Sequence, residues 1–361
     1  VTLERAVSVA GFDGAPTVLL ARPDDIRWLT GFTGGTATAL FDRETRSGTL
    51  IVDGRYAGRA RDEVAASGSP FEICEVRAAS GAEDALVALA AGRAVGVDPS
   101  HVTAERMSGL ESRLCVVREA SGLDELRRVK DPVELASIRD ACRIADAALS
   151  AVVADGLAGR SERAVRNRLE WEMRERGADD VAFATIVATG PNGARPHHEP
   201  GDDVIESGHT VVVDMGARVR GYRSDMTRTI AVGNLGRALA AMLEIVREAQ
   251  EAGLAAVRAG TEARAVDAAA RSVFAAAGVG HEYLHGTGHG VGLAIHEFPI
   301  LGPSCGTRLL AGEVVTVEPG LYREGVGGVR IEDLVVVTGS DPVILTSSAK
   351  DLSCPPSAPT T

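Results

Sequence analysis

Asp214, Asp225, His289, Glu318 and Glu332 lie far apart in this chain, yet each is set in an apolar or glycine-rich strand context. Four carboxylates and one imidazole form an oxygen-rich ligand set suited to two divalent cations, and that pairing implies hydrolytic chemistry. Asp214 and Asp225 fall in TVVVDMGARVRGYRSDMTRT, where two apolar runs flank a short polar segment ending at Gly221, the pattern of a β-hairpin. A fold symmetric about Val219 and Arg220 predicts Asp214 directly opposite Asp225 on one face. Opposed Cβ atoms are roughly 5 Å apart, and two carboxylates held there repel unless a cation lies between them.

The second pair repeats the arrangement. GEVVTVEPGLYREGVGGVRIEDLVVV gives strand, Glu318, glycine-rich turn, strand, Glu332. Gly208 precedes Asp214 by the same interval as Gly312 precedes Glu318, with Val211/Val315, Val213/Val317 and Gly216/Gly320 in register. The segments upstream match as well: a helical stretch from Pro132 to Ala154, then Ser161-Glu162 and a second helix, resembles Arg237 to Arg258, then Thr261-Glu262 and a second helix. Each half reads helix, helix, hairpin, an internal duplication. A pseudo-twofold axis between the halves would bring four carboxylates together, which about two divalent ions would neutralise.

His289 comes from HGTGHGVGLAIHE. His285 and His289 have the spacing of a helical zinc site, but Gly286, Gly288 and Gly290 argue for loop or strand. A phosphate loop is not indicated, because no Lys-Ser/Thr follows and no βαβ context surrounds the glycines. Seven of the eight histidines fall between residues 197 and 296, a clustering that scattered surface histidines would not produce.

Together these residues resemble the pita-bread metallopeptidases, specifically the proline-specific branch containing aminopeptidase P and prolidase. The resemblance runs through RWLTGFTGGTATALF, IVDGRYAGRARDEV, LDELRRVKDPVELASIR, ATGPNGARPHH, VVVDMG, YRSDMTRT, HGTGHGVGLAIHE, TVEPGLY and GGVRIED, nearly the whole chain. It implies an α/β N-terminal domain of the creatinase type followed by an α+β pita-bread catalytic domain with the pseudo-twofold duplication. It also implies two metal ions per chain held by Asp214, Asp225, His289, Glu318 and Glu332, with Asp225 and Glu332 bridging; Mn, Co, Zn or Fe would serve, Mn being favoured. His197, His285, His296, Tyr322 and Arg330 stand at positions that surround substrate in that branch.

Roles follow from what amide hydrolysis needs. Two cations polarise the carbonyl and acidify a water. Glu318 is the expected proton shuttle. His296 and His197 are expected to donate hydrogen bonds to the carbonyl oxygen and the developing oxyanion. His285 would line a proline pocket, and Arg330 would order Tyr322 or a carboxylate near the metals. The implied substrates are peptides with proline at the second position, cleaved either as dipeptides or as longer chains. Alternatives are a metal-dependent hydrolase of a non-peptide amide and a creatinase-like C–N hydrolase working without metal. His198 and His209 read as surface or supporting residues, Glu297 equally well as a solvated charge, Trp28 as packing near a boundary and Cys142 as core.

Composition sets the frame. With 361 residues, 45% of them hydrophobic, the chain can bury two cores. A formal charge of -12 without a basic run argues against nucleic acid or an anionic membrane. Apolar runs are too short to span a bilayer, and Arg and Asp interrupt the start, unlike a signal peptide. Five cysteines without a CxxC pair suggest reduced thiols and a cytoplasmic setting. The resemblance adds a homodimer or higher homo-oligomer. Residues 1–125 alternate strands (TVLLA, TATALF, TLIVD, FEICEV, AVGVD, LCVVRE) with helices near 54–67, 81–91 and 103–112. Asp131-Pro132-Val133-Glu134 supplies a cap, a first-position proline and a Glu at the third position, opening the catalytic domain, 126–352. The Pro-rich end, 353–361, is expected to be disordered.

Overall fold

The structure, a computed structural model, describes residues 4, 5, 8, 14–119 and 122–355. It divides into two compact units, Val1–Leu126 and Arg127–Thr361.

The first unit is a mixed sheet of β1 (Thr17–Leu20), β2 (Thr38–Asp42), β3 (Ser47–Asp53), β4 (Phe71–Val76), β5 (Val95–Val97) and β6 (Val116–Arg118), in the order β4-β3-β2-β1-β5-β6. Helices Ala57–Ser67, Ala82–Ala90 and Ala104–Glu111 fall within the stretches expected to be helical. Leu19, Leu40, Ile51, Leu86, Val95 and Leu110 build the core from strand and helix faces. One further helix, Pro23–Thr30, was not among the expected elements, although Pro23 at its start and Asp24 and Asp25 in its first turn are signals for one. Its Trp28 is buried, with the Arg5 guanidinium 4.7 Å from the ring.

The second unit opens on helix Pro132–Ala154. Its capping box is complete: Val133 N and Glu134 N donate to Asp131 Oδ1 at 2.8 and 2.9 Å, and Asp131 N donates to Glu134 Oε2 at 2.7 Å. Ile138, Ala141, Cys142, Ala145, Leu149 and Val152 form its buried stripe. Helix Glu162–Glu175 follows, then β7 (Asp180–Val181), β8 (Ile186–Thr189) and the first hairpin, β9 (Thr210–Met215), β10 (Ala217–Val219), β11 (Tyr222–Arg223) and β12 (Met226–Val232). Helices Arg237–Ala256 and Ala263–Ala276 lead to β13 (Gly288–Gly290), β14 (Glu297–Leu301) and the second hairpin, β15 (Val314–Val317), β16 (Gly320–Arg323), β17 (Gly327–Arg330) and β18 (Asp333–Val336). Two short strands, β19 (Val343–Ile344) and β20 (Ser353–Cys354), complete the unit.

The duplication extends to individual hydrogen bonds. Gly159 N donates to Ile205 O and Gly260 N to Leu309 O; Glu162 N to Asp203 O and Ala263 N to Thr307 O; Arg163 N to Gly201 O and Arg264 N to Cys305 O. Gly208 and Gly312 share a φ of 91°, a left-handed conformation that favours glycine at the entry to each hairpin. The sheets are correspondingly β20-β12-β9-β8 in one half and β14-β13-β15-β18-β19 in the other.

One boundary differs from expectation. Ser353 and Cys354, assigned by composition to a disordered tail, pair in parallel with Ala231 and Val232, and Cys354 is buried. Leu352 and Cys354 pack on the core of the first half, so the catalytic unit extends past 352. Residues 356–361 lie outside the described residues. Among the described residues no helix is long and apolar enough to cross a membrane. All five cysteines are free.

Candidate metal centre

The first hairpin turns one residue later than a fold symmetric about Val219 and Arg220. Its central residues are Arg220 and Gly221, with φ of 49° and 79°, and Val219 pairs with Tyr222. Two consecutive positive φ values define a type I′ turn, whose twist matches that of the flanking strands. The ladder therefore sets Asp214 opposite Thr227, and Asp225 falls just before β12, diagonal to Asp214 rather than across from it. A displacement of two residues keeps the same face, so both carboxylates still converge. Close crossing behind them requires Gly216, where a Cβ would lie 2.0 Å from Ser224 O.

In the second hairpin Val317 pairs with Asp333 and Gly320 with Arg330, and this register sets Glu318 across from Glu332. Glu332 N donates to Thr227 O at 3.1 Å, and Arg330 N donates to Thr229 Oγ1 at 3.0 Å, fastening one hairpin to the other. His289 arrives on β13, a strand and not a helix, whose Gly288 leaves no room for a Cβ against Thr316 O.

Asp225, His289 and Glu332 present donor atoms within 4.8 Å of one another, and all three are buried. His289 Nε2 lies 3.6 Å from Asp225 Oδ2 and 3.3 Å from Glu318 Oε1. Its Nδ1 is 3.0 Å from Gly290 O, which assigns the proton to Nδ1 and turns the Nε2 lone pair toward the carboxylates. Burial first, and then the charges of Glu332, Asp214 and Glu318, push the Asp225 carboxyl well above the usual range. Glu332 is pushed up by burial and then by Glu318 and Asp214, and Glu318 is raised chiefly by burial. Burial lowers the His289 imidazole, favouring its neutral form. Asp214 Oδ1 is buried with no hydrogen-bond partner. Lone pairs and carboxylates aimed at one another are stable only around positive charge, so the residues present fit divalent cations.

Arg330 supplies some of that charge. It is buried, and donates from Nη2 to Asp214 Oδ2 at 2.7 Å, from Nη1 to Tyr322 Oη at 2.9 Å and from Nε to Thr227 Oγ1 at 3.0 Å. Thr227 Oγ1 in turn donates to Glu332 Oε2 at 2.7 Å. Tyr322 Oη lies 2.8 Å from His285 Nε2, while His285 Nδ1 is bonded to Gly286 O. A neutral His285, favoured by burial, thus accepts the Tyr322 proton, and burial pushes the Tyr322 hydroxyl up to about 12. His296 is exposed and meets the His289 ring edge-on at 4.4 Å. His197 is also exposed, and it lies near enough to His285 and His296 to oppose a positive charge on either.

Two neighbours differ from a surface reading. His198 is tied through Nε2 to the fully buried Glu162 at 2.7 Å. Glu297 is a buried ion-pair residue, not a solvated charge: Arg127 and Lys130 bind it and Ala294 N donates to it. Burial opposes its ionisation, yet Lys130 and then Arg127 hold its carboxyl down at about 2. Sequence reasoning also passed over Thr227 and Thr316. Thr316 Oγ1 accepts from His289 N at 3.0 Å and donates to Glu318 Oε1 at 3.2 Å. Each threonine stands two positions from an acidic residue of the site in a strand, hence on its face, a period that could have flagged both.

Comparison with known proteins gives the family. The sequence profile of Metallopeptidase family M24 matches residues 136–339, and that of the Creatinase/Prolidase N-terminal domain matches residues 3–129. The chain belongs to metallopeptidase family M24: it is a metal-dependent peptidase with a creatinase-type N-terminal domain and a pita-bread catalytic domain. The uncharacterized peptidase YqhT of Bacillus subtilis is 35% identical over 354 residues, 97% of this chain and 99% of that protein. The Xaa-Pro dipeptidase of Pyrococcus furiosus is 40% identical over 230 residues, 64% of this chain and 66% of that protein. Among solved structures, an Xaa-Pro dipeptidase from Bacillus anthracis superposes with a TM-score of 0.89 at 34% identity, covering 98% of each chain. An X-Pro aminopeptidase from Thermotoga maritima gives 0.85 at 30% identity, covering 98% of this chain and 99% of that one.

Proposed function

We propose that this chain hydrolyses the Xaa-Pro bond at the amino end of short peptides, dipeptides included, with two divalent ions held by Asp214, Asp225, His289, Glu318 and Glu332. The observation that carries the reading is the His289 Nε2 lone pair directed at Asp225 and Glu318 inside a cluster of four carboxylates. Relatives named for both dipeptidase and aminopeptidase activity on Xaa-Pro bonds support the substrate class. Manganese is the favoured metal by family resemblance. A cytoplasmic homodimer or higher homo-oligomer belongs to the same reading, and the free cysteines suit a reducing setting.

When bound, the cations supply Lewis acidity toward the scissile carbonyl and acidify a water beside it. The chain's own residues do the rest. Glu318 takes the proton from the attacking water on its carboxylate and passes it to the leaving nitrogen. His296 and His197 donate hydrogen bonds where oxyanion charge develops. Arg330 fixes Asp214 and Tyr322 in one buried network, and Tyr322 orients His285 against the proline ring. The carboxylate-rich centre favours a nearby ammonium, so a free amino terminus is required.

The test is a panel of Ala-Pro, Ala-Pro-Ala and Ala-Ala with the metal-loaded protein, products identified, across Mn, Co, Zn and Fe. Cleavage of the proline peptides with poor turnover of Ala-Ala is expected, and chelation should abolish it. Equal turnover of Ala-Ala and Ala-Pro would overturn the proline assignment, and failure on every peptide would favour a non-peptide amide.

A further inference from the structure

Among the described residues His197 makes no hydrogen bond of its own, so what fixes its place is the loop that carries it. That loop converges on one group. Glu162, fully buried in the first turn of helix Glu162–Glu175, accepts from Thr189 N at 2.8 Å and Asn192 Nδ2 at 3.0 Å on Oε1. On Oε2 it accepts from His198 Nε2 at 2.7 Å and Gly201 N at 3.0 Å. All four donors belong to the stretch 189–201, with His197 inside it. A carboxylate facing donors on both oxygens is fully satisfied, and the bonds to a charged acceptor are stronger than neutral ones.

The duplicated half shows that the fold itself does not demand this carboxylate. Ala263 makes the backbone bond to Thr307 O that Glu162 makes to Asp203 O, and its helix forms with alanine at that position. The loop after β13, which carries His296, is held by other means: Glu297 is gripped by Arg127 and Lys130. Each half therefore presents an exposed histidine whose next residue, His198 or Glu297, is locked into a buried charged contact.

We propose that Glu162, acting through His198, is a positioning residue that sets His197 for the hydrolytic step. The inference rests on the reading of His197 as a substrate-facing donor. Glu162→Gln tests it, because the amide keeps the volume but sets an NH2 group against two of the four donors. In the metal-loaded full chain, kcat on Ala-Pro should fall about tenfold or more with KM and metal content little changed. In a His197→Ala background the same substitution should change kcat by less than about twofold, since a residue acting through His197 has nothing left to position. Additive losses in that cycle, or wild-type kcat in Glu162→Gln, would overturn the proposal. If Glu162→Gln does not fold, His198→Gln, which keeps a donor within reach of Glu162, should retain far more activity than His198→Ala; equal loss in both would count against it. Deuterium uptake without substrate provides a readout independent of turnover. It should rise across 189–201 in Glu162→Gln and stay unchanged across the helix 162–175, and an unchanged loop would also overturn the anchor. If the wild type fails to cleave Ala-Pro, the peptidase reading falls by itself, and the exchange result still decides whether Glu162 holds the loop.

Discussion

A neutral imidazole with its free lone pair toward carboxylates, as at His289, is favourable with a cation between them or a proton shared among them. Residues that hold the cation and residues that touch substrate should therefore separate cleanly on substitution. Asp225→Asn is expected to lower metal content and activity together, by roughly 100-fold or more in affinity, since even partners of ligands are worth 10–100-fold. His296→Ala should keep its metal and lose about 10²–10³ in kcat, the scale of one lost oxyanion donor. Elemental analysis beside kinetics distinguishes them. The pH dependence has a definite sign. In the metal-free protein burial and mutual charge hold Asp225 and Glu332 well above the usual carboxylate range. A folded pKa above the unfolded one means the folded state binds more protons, so the stability these groups contribute is present in acid. It is lost as pH rises from the unfolded value through the raised folded ones. Bound cations hold the same groups ionised and reverse that sign. The gap in Tm between metal-loaded and chelated protein should widen as pH rises above the ordinary carboxylate range, and a constant gap would contradict the assignment.

At the scale of elements, the strands, the capped helix and the repeated hairpin were legible, because apolar period, Asp131-Pro132 and the Gly208/Gly312 spacing are written locally. The register was not. It depends on Arg220 adopting a positive φ beside Gly221, a choice stabilised by contacts far away in sequence, Arg220 to Ser137 at 2.9 Å and to Asp140 at 2.6 Å. The partners of Glu297 were hidden for a related reason: its cations, Arg127 and Lys130, come from a segment remote in sequence. The five acidic and imidazole residues were legible as a set because chemistry restricts which residue types can do the work. Their supporting threonines were not, since a threonine in a strand carries no distinguishing mark. One glycine tests the geometry directly. Gly216→Ala would drive a Cβ into Ser224 O, a backbone atom that cannot swing aside, one residue from Asp225. A loss of roughly 2 kcal/mol or more is expected, together with weaker metal binding, although alanine touches no ligand. Unchanged melting and metal content would show that the hairpin has slack.

Across the catalytic unit, the C-terminal segment does more than trail away. Arg228, the largest fully buried side chain among the described residues, donates to Ser348 O at 2.9 Å and to Asp333 Oδ1 at 2.7 Å. Asp333 also accepts from Thr346, Gln250 and Lys350, and Ser347 and Ser348 both bind Asp146. Deleting residues beyond Ile344 would leave Asp333 with a buried charge short of two partners, a defect worth several kcal/mol. Such a chain keeps every proposed ligand but should give little soluble, metal-binding protein. Lys350→Met, which removes one partner only, should fold with a lowered Tm. Equal soluble yield and metal content from the truncated and full chains would contradict this.

A ribosome releases this chain from its amino end, and that order matters here. Asp214, Asp225, His289, Glu318 and Glu332 have all been made before Thr346, Ser348 and Lys350 exist, and strand β20 comes later still. Arg228 and Asp333, directly behind the Glu332 backbone, can pair with each other before then, but their bonds to Ser348 O and Thr346 form only once that segment has been made. The support behind the proposed peptidase centre is thus completed only after residues 346–350 have been made, so a product terminated before them carries the proposed ligands without part of the framework that holds them.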